Sequence, residues 1–241
     1  MYYGENKMNL RVLFEDEHII VCYKPSGIPT QTKKIGAADM VSLLKNYLYK
    51  NQKEKKEPYV AVVHRLDQPV EGILVFAKTT FAAKELNKGM QQGTSFGKYY
   101  KAVLCKVPLE KSGVLEDYLV KDGRTNTSRV VSKPEKDAKK AVLFYEVIEE
   151  TSEHALVQIK LDTGRHHQIR VQMANIGCPI WGDTKYGLQE EQAWKTWKQI
   201  ALCAYRLEFE HPKTKKKMQF EIEPEGYGFR VLTLDKLKNF Q

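Results

Sequence analysis

The segment YVAVVHRLDQPVEGILVFAK, residues 59–78, consists of two apolar runs joined by a polar turn. Tyr59–Val63 and Gly72–Ala77 are rich in β-branched and aromatic residues, which predicts two strands. The residues between them, His64–Glu71, include Pro69, which cannot continue a strand ladder. Loops between rigid strands commonly carry functional side chains. The segment therefore predicts a sheet in which His64–Glu71 is a candidate functional loop.

Similar apolar runs predict that the sheet extends through most of the chain. The further predicted strands are Arg11–Phe14, Ile19–Tyr23, Lys98–Lys106, Leu115–Val120, Lys140–Glu149, His154–Leu161, Ala201–Glu210 and Met218–Glu223. Helical spacing or capping residues predict helices at Ala38–Tyr49, Thr80–Met90 and Arg165–Ile176. The sequence has no internal repeat or linker that marks a domain boundary, so residues 1–241 are expected to form one α+β domain.

The charge of the chain favours a polyanionic partner. Lys and Arg number 39 and Asp and Glu number 30, which gives a net charge of +9. The sequence pI is near 9.2, and Lys53–Lys56 and Lys213–Lys217 are mostly basic. Such runs create positive potential where phosphates can bind. Charge by itself leaves open the alternative of a basic enzyme without such a partner.

The sequence lacks the usual signals for a membrane helix, for secretion and for a cysteine-based zinc motif. No apolar run approaches the roughly 18 residues that a membrane helix needs, and residues 1–7 lack the apolar core of a secretory signal. Cys22, Cys105, Cys178 and Cys203 are too far apart in sequence for a zinc knuckle or a CxxC motif. We therefore expect a reduced, cytoplasmic protein that uses neither a metal nor a cofactor.

Two polar clusters are candidates for chemistry, and each also has a purely structural explanation. Asp67 either caps the turn before Pro69, with Arg65 as a solvated charge, or is kept ionised by a nearby cation and acts as a nucleophile or base. Arg165–Arg170 opens a predicted helix, where free N–H groups and arginines favour a carboxylate or phosphate. The alternative there is a helix start with solvated basic groups.

Adjacent histidines and tyrosines add two expectations. His166 and His167 are not expected to bind a metal, because neighbouring positions on a helix diverge by about 100°. Tyr99 and Tyr100 lie in a predicted strand and so point to opposite faces of the sheet. One of them is expected in the core, while the other can face a cleft.

Several segments occur in an order that resembles one enzyme family. They are Asp16–Tyr23 followed by Lys24-Pro25-Ser26-Gly27; His64-Arg65-Leu66-Asp67 followed by Gly72–Lys78; Lys98-Tyr99-Tyr100-Lys101-Ala102; Thr163–Arg170; and Gly177–Asp183 followed by Tyr186-Gly187. Ordered matches of this extent are highly specific. On these motifs the chain resembles the RluA-type family of RNA pseudouridine synthases.

The resemblance implies a pseudouridine synthase fold: a long, mixed, mostly antiparallel sheet with flanking helices and a central basic cleft. It implies that Asp67 is the catalytic aspartate, that Tyr100 packs against the target uracil and that Arg170 pairs with Asp67. Arg65 resembles the residue that helps to displace the target base from the RNA stack. The neighbouring motif residues expected to bind substrate are His64, Arg165, His167 and Gln168.

The resemblance also implies a partner. The expected substrate is a structured loop of ribosomal or transfer RNA, modified by a monomer without cofactor or metal. The sequence begins close to the first predicted strand, so the small N-terminal RNA-binding domain of many relatives is expected to be absent. The catalytic domain itself would then grip the RNA.

One departure from the family pattern lies in the candidate loop. Val70 and Glu71 stand where the family usually has a Thr-Ser pair, which changes the hydrogen bonds expected to brace the loop. Two functions are alternatives to the pseudouridine synthase. The chain could be a catalytically inactive RNA-binding module of the same fold, or Asp67 and Glu71 could form the carboxylate pair of a glycosidase-like hydrolase.

Overall fold

The computed structural model describes residues 10–53, 56–93, 95–132, 135–187 and 199–238. The strands in this part of the chain are β1 (Arg11–Glu15), β2 (Ile19–Lys24), β3 (Ala61–Val62), β4 (Glu71–Ala77), β5 (Phe96–Leu104), β6 (Ser112–Asp122), β7 (Thr127–Val131), β8 (Lys139–Glu150), β9 (Ala155–Leu161), β10 (Leu202–Glu210) and β11 (Lys217–Glu221). The helices are α1 (Met40–Asn51), α2 (Thr80–Gln92), α3 (Gln168–Asn175) and α4 (Val231–Lys238), with a 3-10 helix at Tyr227–Arg230.

All of these strands belong to one sheet. Its order is β1-β2-β4-β10-β5-β9-β8-β6-β7, with β3 paired to β4 and β11 paired to β10. Among the strand pairs of the described residues, only β4 and β10 are parallel. The predicted α+β class and the long, mixed, mostly antiparallel sheet are therefore confirmed.

The two faces of the sheet carry separate apolar layers, because successive strand residues point in opposite directions. In β4, Leu74 and Phe76 belong to one layer, and Ile73 and Val75 belong to the other. We call the first layer the α3 face, since it includes residues of α1 and α3: Met40, Leu44, Ile169 and Met173. We call the second layer the α2 face, since it includes Ala82 and Leu86 of α2.

The central strand β4 is crowded, and this crowding explains the short β3. One edge of β4 pairs with β2 along its length. The other edge is shared, because β10 pairs with Glu71 and Gly72 while β3 pairs with Phe76 and Ala77. Gly72 permits the close approach of β10: its φ is 137°, and a Cβ there would lie 2.5 Å from the Ala204 carbonyl oxygen. The predicted strand Tyr59–Val63 is therefore reduced to Ala61–Val62.

Helix boundaries follow local capping. The Thr79 side chain accepts a hydrogen bond from Ala82 N at 3.1 Å, and Gly93 ends α2 with a φ of 69°, as the sequence predicts. Helix α3, by contrast, begins at Gln168, three residues later than predicted. His167 has a left-handed backbone with a φ of 54° and so lies before the helix. The predicted helix start at Arg165 is therefore wrong, while binding of an anion near it stays a prediction.

The four cysteines are buried, and none of them is in a disulfide. A hairpin turn at His211–Thr214 joins β10 to β11. None of the described helices has the length and apolar character needed to cross a membrane.

His64 packs on the α2 face, while its role in substrate binding stays a prediction. Its Nε2 accepts a hydrogen bond from Val75 N at 3.2 Å, and its ring packs edge-on against Phe96 with a centroid separation of 5.4 Å. Burial lowers the pKa of His64 to about 3, and the charge of Lys98 adds to the effect. Its position indicates a structural role, as a neutral imidazole that joins β3 to β4.

We predict that His64→Gln reduces the acid sensitivity of the protein. The unfolded chain binds a proton near the ordinary pKa of 6.5 and the folded chain only near 3, so stability is lost as the pH falls below about 6.5. Between pH 7 and pH 5 the loss from this group is at most about 2 kcal/mol. Urea unfolding at both pH values should show a smaller loss in the variant. An equal loss in both proteins would contradict the assignment.

Candidate active site

Asp67 lies in the loop between β3 and β4, and the segment that follows β2 holds this loop in place. The Lys24 ammonium is buried and donates hydrogen bonds to the carbonyl oxygens of Pro25, Ile28 and Gln68, at 3.0, 2.6 and 3.1 Å. Burial lowers the pKa of Lys24 to about 7, while the charges of Asp67 and Glu71 act in the opposite direction. Lys24 thus joins the Lys-Pro-Ser-Gly element to the residue after Asp67.

Four further hydrogen bonds, formed by Thr30, Ser26 and Gly27, connect the segment after β2 to the Asp67 loop. Thr30 Oγ1 accepts from Leu66 N at 3.1 Å and donates to Leu66 O at 2.9 Å. Ser26 Oγ donates to Pro69 O at 2.8 Å, and Gly27 N donates to Gln68 O at 2.8 Å. The loop is therefore braced on both sides of Asp67 without the Thr-Ser pair that the family usually has.

Arg170 of α3 lies between two carboxylates. Its Nε and Nη2 donate to Asp183 Oδ2 and Oδ1 at 2.7 and 2.8 Å, and its Nη1 donates to Asp67 Oδ2 at 3.1 Å. The Asp183 side chain is fully buried, whereas that of Asp67 is 29% exposed. Burial alone would lower the pKa of Arg170, but hydrogen bonding and charge from Asp183, with Asp67, raise it overall. Asp183 therefore fixes a permanently charged guanidinium, which faces Asp67.

His167 also faces the Asp67 carboxylate. Its Nε2 lies 3.4 Å from Asp67 Oδ2, and its Nδ1 lies 2.8 Å from the Tyr186 hydroxyl. The ring of Tyr186 in turn lies under the Arg170 guanidinium, 5.3 Å from Cζ to the ring centroid. The structure thus brings His167 and Arg170 to one carboxylate oxygen of Asp67, and Tyr186 contacts both of them.

Tyr99 and Tyr100 point to opposite faces of the sheet, as the strand pattern predicts. Tyr100 is buried on the α3 face, in the same layer as Leu66 and Ile169. Burial raises the pKa of Tyr100, and the negative charge of Asp67 acts in the same direction. Tyr99 points to the α2 face, where its hydroxyl donates to Glu208 Oε2 at 3.1 Å. Tyr100 is therefore the tyrosine that shares a face with the Asp67 loop.

The Gln168 side chain forms its hydrogen bonds within the protein. It is buried, and its Oε1 accepts from Thr163 Oγ1 and Arg165 N at 2.8 and 3.0 Å, while its Nε2 donates to Val142 O at 3.1 Å. These hydrogen bonds close the turn before α3. The role of Gln168 in substrate binding stays a prediction.

The two remaining predicted residues are exposed arginines. Arg165 is exposed, and its Nε donates to Lys140 O at 2.8 Å. Arg65 is exposed on the Asp67 loop. Both side chains lie at the surface, and their predicted contacts with RNA stay predictions.

Glu71 does not share the environment of Asp67. Its Oε2 accepts from the Tyr23 hydroxyl at 2.7 Å, and its Oε1 accepts from Gly226 N and Glu225 N at 2.9 and 3.2 Å. Glu71 is buried and belongs to the connection between β4 and the segment before the 3-10 helix. This geometry gives no support to a glycosidase pair of Asp67 and Glu71, because both oxygens of Glu71 are occupied.

Potential metal ligands occur at two places in the described residues. His166 and His167 do not diverge as helical neighbours, since they precede α3 and their rings stack with a centroid separation of 3.8 Å. Glu153, His154 and Asp235 bring ligand atoms within 4.8 Å of one another. In that group His154 Nδ1 lies 2.6 Å from Asp235 Oδ2. This contact joins the β8–β9 turn to α4.

One of the two basic runs noted in the sequence lies beside helix α2. Lys215 pairs with Glu85 of α2, and Lys213 lies over the Phe81 ring, so the Lys213–Lys217 run adjoins α2. The Lys53–Lys56 run includes residues outside the described part of the chain. The central basic cleft stays a prediction.

Comparison with known proteins decides the family. Residues 18–175 match the model of a family described as RNA pseudouridylate synthase. This chain belongs to that family. The family predicted from the sequence motifs is therefore confirmed.

Two curated relatives of this family member are both named ribosomal large subunit pseudouridine synthase D. The protein from Nitrosomonas europaea is 34% identical over 218 residues, which cover 88% of this chain and 61% of the relative. The protein from Pseudomonas aeruginosa is 33% identical over 224 residues, which cover 89% of this chain and 68% of the relative. The chain thus spans roughly three fifths to two thirds of these relatives.

Solved structures support the same fold. Human RNA pseudouridylate synthase domain containing 4 aligns with a TM-score of 0.75 and 24% identity, covering 95% of this chain and 93% of that chain. Human RNA pseudouridylate synthase domain containing 1 aligns with a TM-score of 0.73 and 21% identity, covering 93% and 86%. The pseudouridine synthase fold predicted from the motifs is therefore confirmed.

Three residues around the site had no role in the sequence interpretation: Lys24, Asp183 and Tyr186. All three stand inside quoted motifs, so the available signal was their position beside Pro25, Gly182 and Gly187. That signal cannot identify a partner, because Asp183 lies 13 residues from Arg170 in sequence and Lys24 lies 44 residues from Gln68.

We predict that Asp183→Asn destabilises the protein by about 3–5 kcal/mol, because it removes one charge of a buried, hydrogen-bonded pair. Urea unfolding measures this loss. The matched control is Glu85→Gln, which breaks the more exposed pair with Lys215 and should change stability little. Equal effects of the two substitutions would contradict the role given to Asp183.

We predict that Lys24→Met loosens the Asp67 loop. The change keeps an apolar stem but removes the donor that bonds three carbonyl groups in a part-buried setting. A carbonyl group left without a partner there weakens the connection, by at most about 1–3 kcal/mol. Amide hydrogen exchange should increase at Gly27 and Leu66, whose N–H groups bond within this interface. Unchanged protection at both amides would show that Lys24 does not hold the loop.

Proposed function

We propose that this chain is an RNA pseudouridine synthase in which Asp67 is the reacting carboxylate. The observation that carries the proposal is the contact between Arg170 Nη1 and Asp67 Oδ2 at 3.1 Å, in a member of the RNA pseudouridylate synthase family. An opposite charge at this distance stabilises a carboxylate in a partly buried loop. An ionised, partly exposed aspartate has the properties required of a nucleophile or base.

The reaction needs no redox partner and no transferred group. The bond from ribose to N1 of uracil breaks, the base turns, and C5 bonds to the same ribose carbon while the C5 proton leaves and N1 gains one. Asp67 has one of two roles in this reaction: its carboxylate attacks the sugar, or it removes the 2′ proton to give a glycal. Both routes start from the same ionised oxygen.

Tyr100 is the proposed surface for the uracil ring. The base cannot turn inside a stack, so it must leave the RNA helix at an expense of a few kcal/mol. Stacking of a base on an aromatic ring contributes about 1–3 kcal/mol, which offsets much of this expense. Tyr100 shares the α3 face with the Asp67 loop, and Arg65 is exposed on the loop. We assign Arg65 to the displacement of the base.

The proposed substrate is a structured loop of ribosomal RNA, with transfer RNA as the alternative. The names of the bacterial relatives refer to the large ribosomal subunit, which favours ribosomal RNA. The net charge of +9 suits binding to phosphates, so affinity should fall steeply as salt rises. A cytoplasmic monomer that binds RNA without cofactor or metal stays the prediction.

We predict that Asp67→Asn abolishes isomerisation but leaves RNA binding within a few fold. The amide keeps the shape of the side chain but lacks the negative charge required by both routes. Tritium release from RNA labelled at C5 of uridine measures turnover, and filter binding at matched salt measures affinity. Retained turnover in purified Asp67→Asn would refute the assignment of Asp67.

The products and the modified sites distinguish the alternatives. Release of free uracil would indicate a hydrolase, and binding without any tritium release would indicate an inactive module. Carbodiimide-blocked primer extension, with RNA from cells with and without the gene, identifies the uridine. Loss of pseudouridines from transfer RNA alone would overturn the preference for ribosomal RNA.

A further inference from the structure

The imidazole of His167 connects a tyrosine hydroxyl to the Asp67 carboxylate. Its Nδ1 lies 2.8 Å from the Tyr186 hydroxyl, and its Nε2 lies 3.4 Å from Asp67 Oδ2. The second distance is long for a hydrogen bond, but catalytic contacts often tighten only when substrate binds. The two ring nitrogens thus face a hydroxyl on one side and an acceptor on the other.

The Tyr186 hydroxyl determines which nitrogen of His167 carries the proton. It accepts a hydrogen bond from the backbone N–H of Ser128 in β7 at 2.6 Å. Its own hydrogen is therefore available for Nδ1 of His167. An Nδ1 that accepts a hydrogen bond is unprotonated, so a neutral imidazole carries its hydrogen on Nε2. That hydrogen is on the nitrogen that lies 3.4 Å from Asp67 Oδ2.

Burial keeps this imidazole neutral. Burial lowers the pKa of His167 to about 4. The carboxylate of Asp67 acts in the opposite direction, while the charges of Arg170, His166 and Lys185 lower the pKa further. Near pH 7 His167 is therefore an N–H donor and not a second positive charge beside Asp67.

The contacts of Asp67 are also unequal between its two oxygens. Arg170 Nη1 and His167 Nε2 both face Oδ2. Oδ1 has no hydrogen bond within the described part of the chain. The side chain is 29% exposed, so Oδ1 is the oxygen available to a bound ribose.

We infer that His167 is a positioning residue: its Nε2–H donates to Asp67 Oδ2, Tyr186 selects the tautomer that permits this, and Oδ1 is thereby presented to the substrate. The inference rests on the proposed function, because it gives Asp67 the reacting role. In this arrangement Arg170 supplies the charge that stabilises the carboxylate, and His167 restricts its rotation. Tyr186 acts only through His167 and Arg170.

The test is Tyr186→Phe, which removes the hydroxyl and keeps the ring beside Arg170. We expect the single-turnover rate to fall about tenfold, the scale of one hydrogen bond to a charged group, with the KM for RNA within twofold. The matched control is Tyr145→Phe in β8, which removes a hydroxyl that donates to Glu110 O at 3.2 Å. Tyr145→Phe should keep the wild-type rate within twofold.

A spectroscopic readout separates positioning from general stability. Nitrogen-15 NMR of the imidazole groups should show the Nε2–H tautomer for His167 at pH 7 in the wild-type protein and a mixture of tautomers in Tyr186→Phe. An Nδ1–H tautomer in the wild type would overturn the inference, as would a wild-type rate in folded Tyr186→Phe. His167→Gln, which keeps an N–H donor, should retain more activity than His167→Leu, and the reverse order would also contradict it.

Failure of this inference can be told from failure of the proposed function. If the wild-type protein releases no tritium from any ribosomal or transfer RNA, the proposed function fails and the positioning role of His167 fails with it. If the wild type is active and Tyr186→Phe equals it, only the positioning role is lost. The tautomer assignment by NMR is independent of activity.

Discussion

The buried guanidinium of Arg170 is the group on which the candidate site depends. A charge in this position is tolerated only when it is paired and hydrogen-bonded, and Asp183 meets both conditions with two hydrogen bonds. Because Asp183 occupies Nε and Nη2, the guanidinium plane is fixed and Nη1 faces Asp67. The half-buried Asp67 therefore lies beside a cation whose orientation is set elsewhere. Movement of α3 or of the Asp183 loop would change the environment of Asp67 directly.

The rest of the structure holds the other side of this ion pair. Asp67 is on a loop, and loops are mobile unless their backbone groups are bonded. Lys24 and Thr30 bond to backbone groups on both sides of Asp67, which makes the loop part of the rigid sheet. Val70 and Glu71 are compatible with this bracing, since Glu71 instead bonds Gly226 and Tyr23. The departure from the family pattern thus coincides with a connection between β4 and the C-terminal segment.

Two motif residues have contacts that hold the scaffold together. His64 packs on the α2 face, opposite the layer that contains Tyr100, and Gln168 closes the turn before α3. The motifs predict substrate binding for both, and that role stays a prediction. A short motif contains residues that point in different directions, so its presence cannot separate those that react from those that orient them. His167, next to Gln168, does face Asp67.

Sequence alone was sufficient for most of the strands, for α2 and for the family, because period-two apolar patterns, capping residues and ordered motifs are local signals. It also identified Asp67, Tyr100 and Arg170 as candidates through the resemblance. It did not predict β7 (Thr127–Val131) or the 3-10 helix and α4 near the C-terminal end. Only the tertiary structure showed that Asp183 fixes Arg170, that Tyr186 contacts His167 and that α3 begins at Gln168. These facts depend on contacts between segments far apart in the chain and on the left-handed backbone of His167. Neither is encoded in a local pattern, since each exists only after the sheet has brought the segments together.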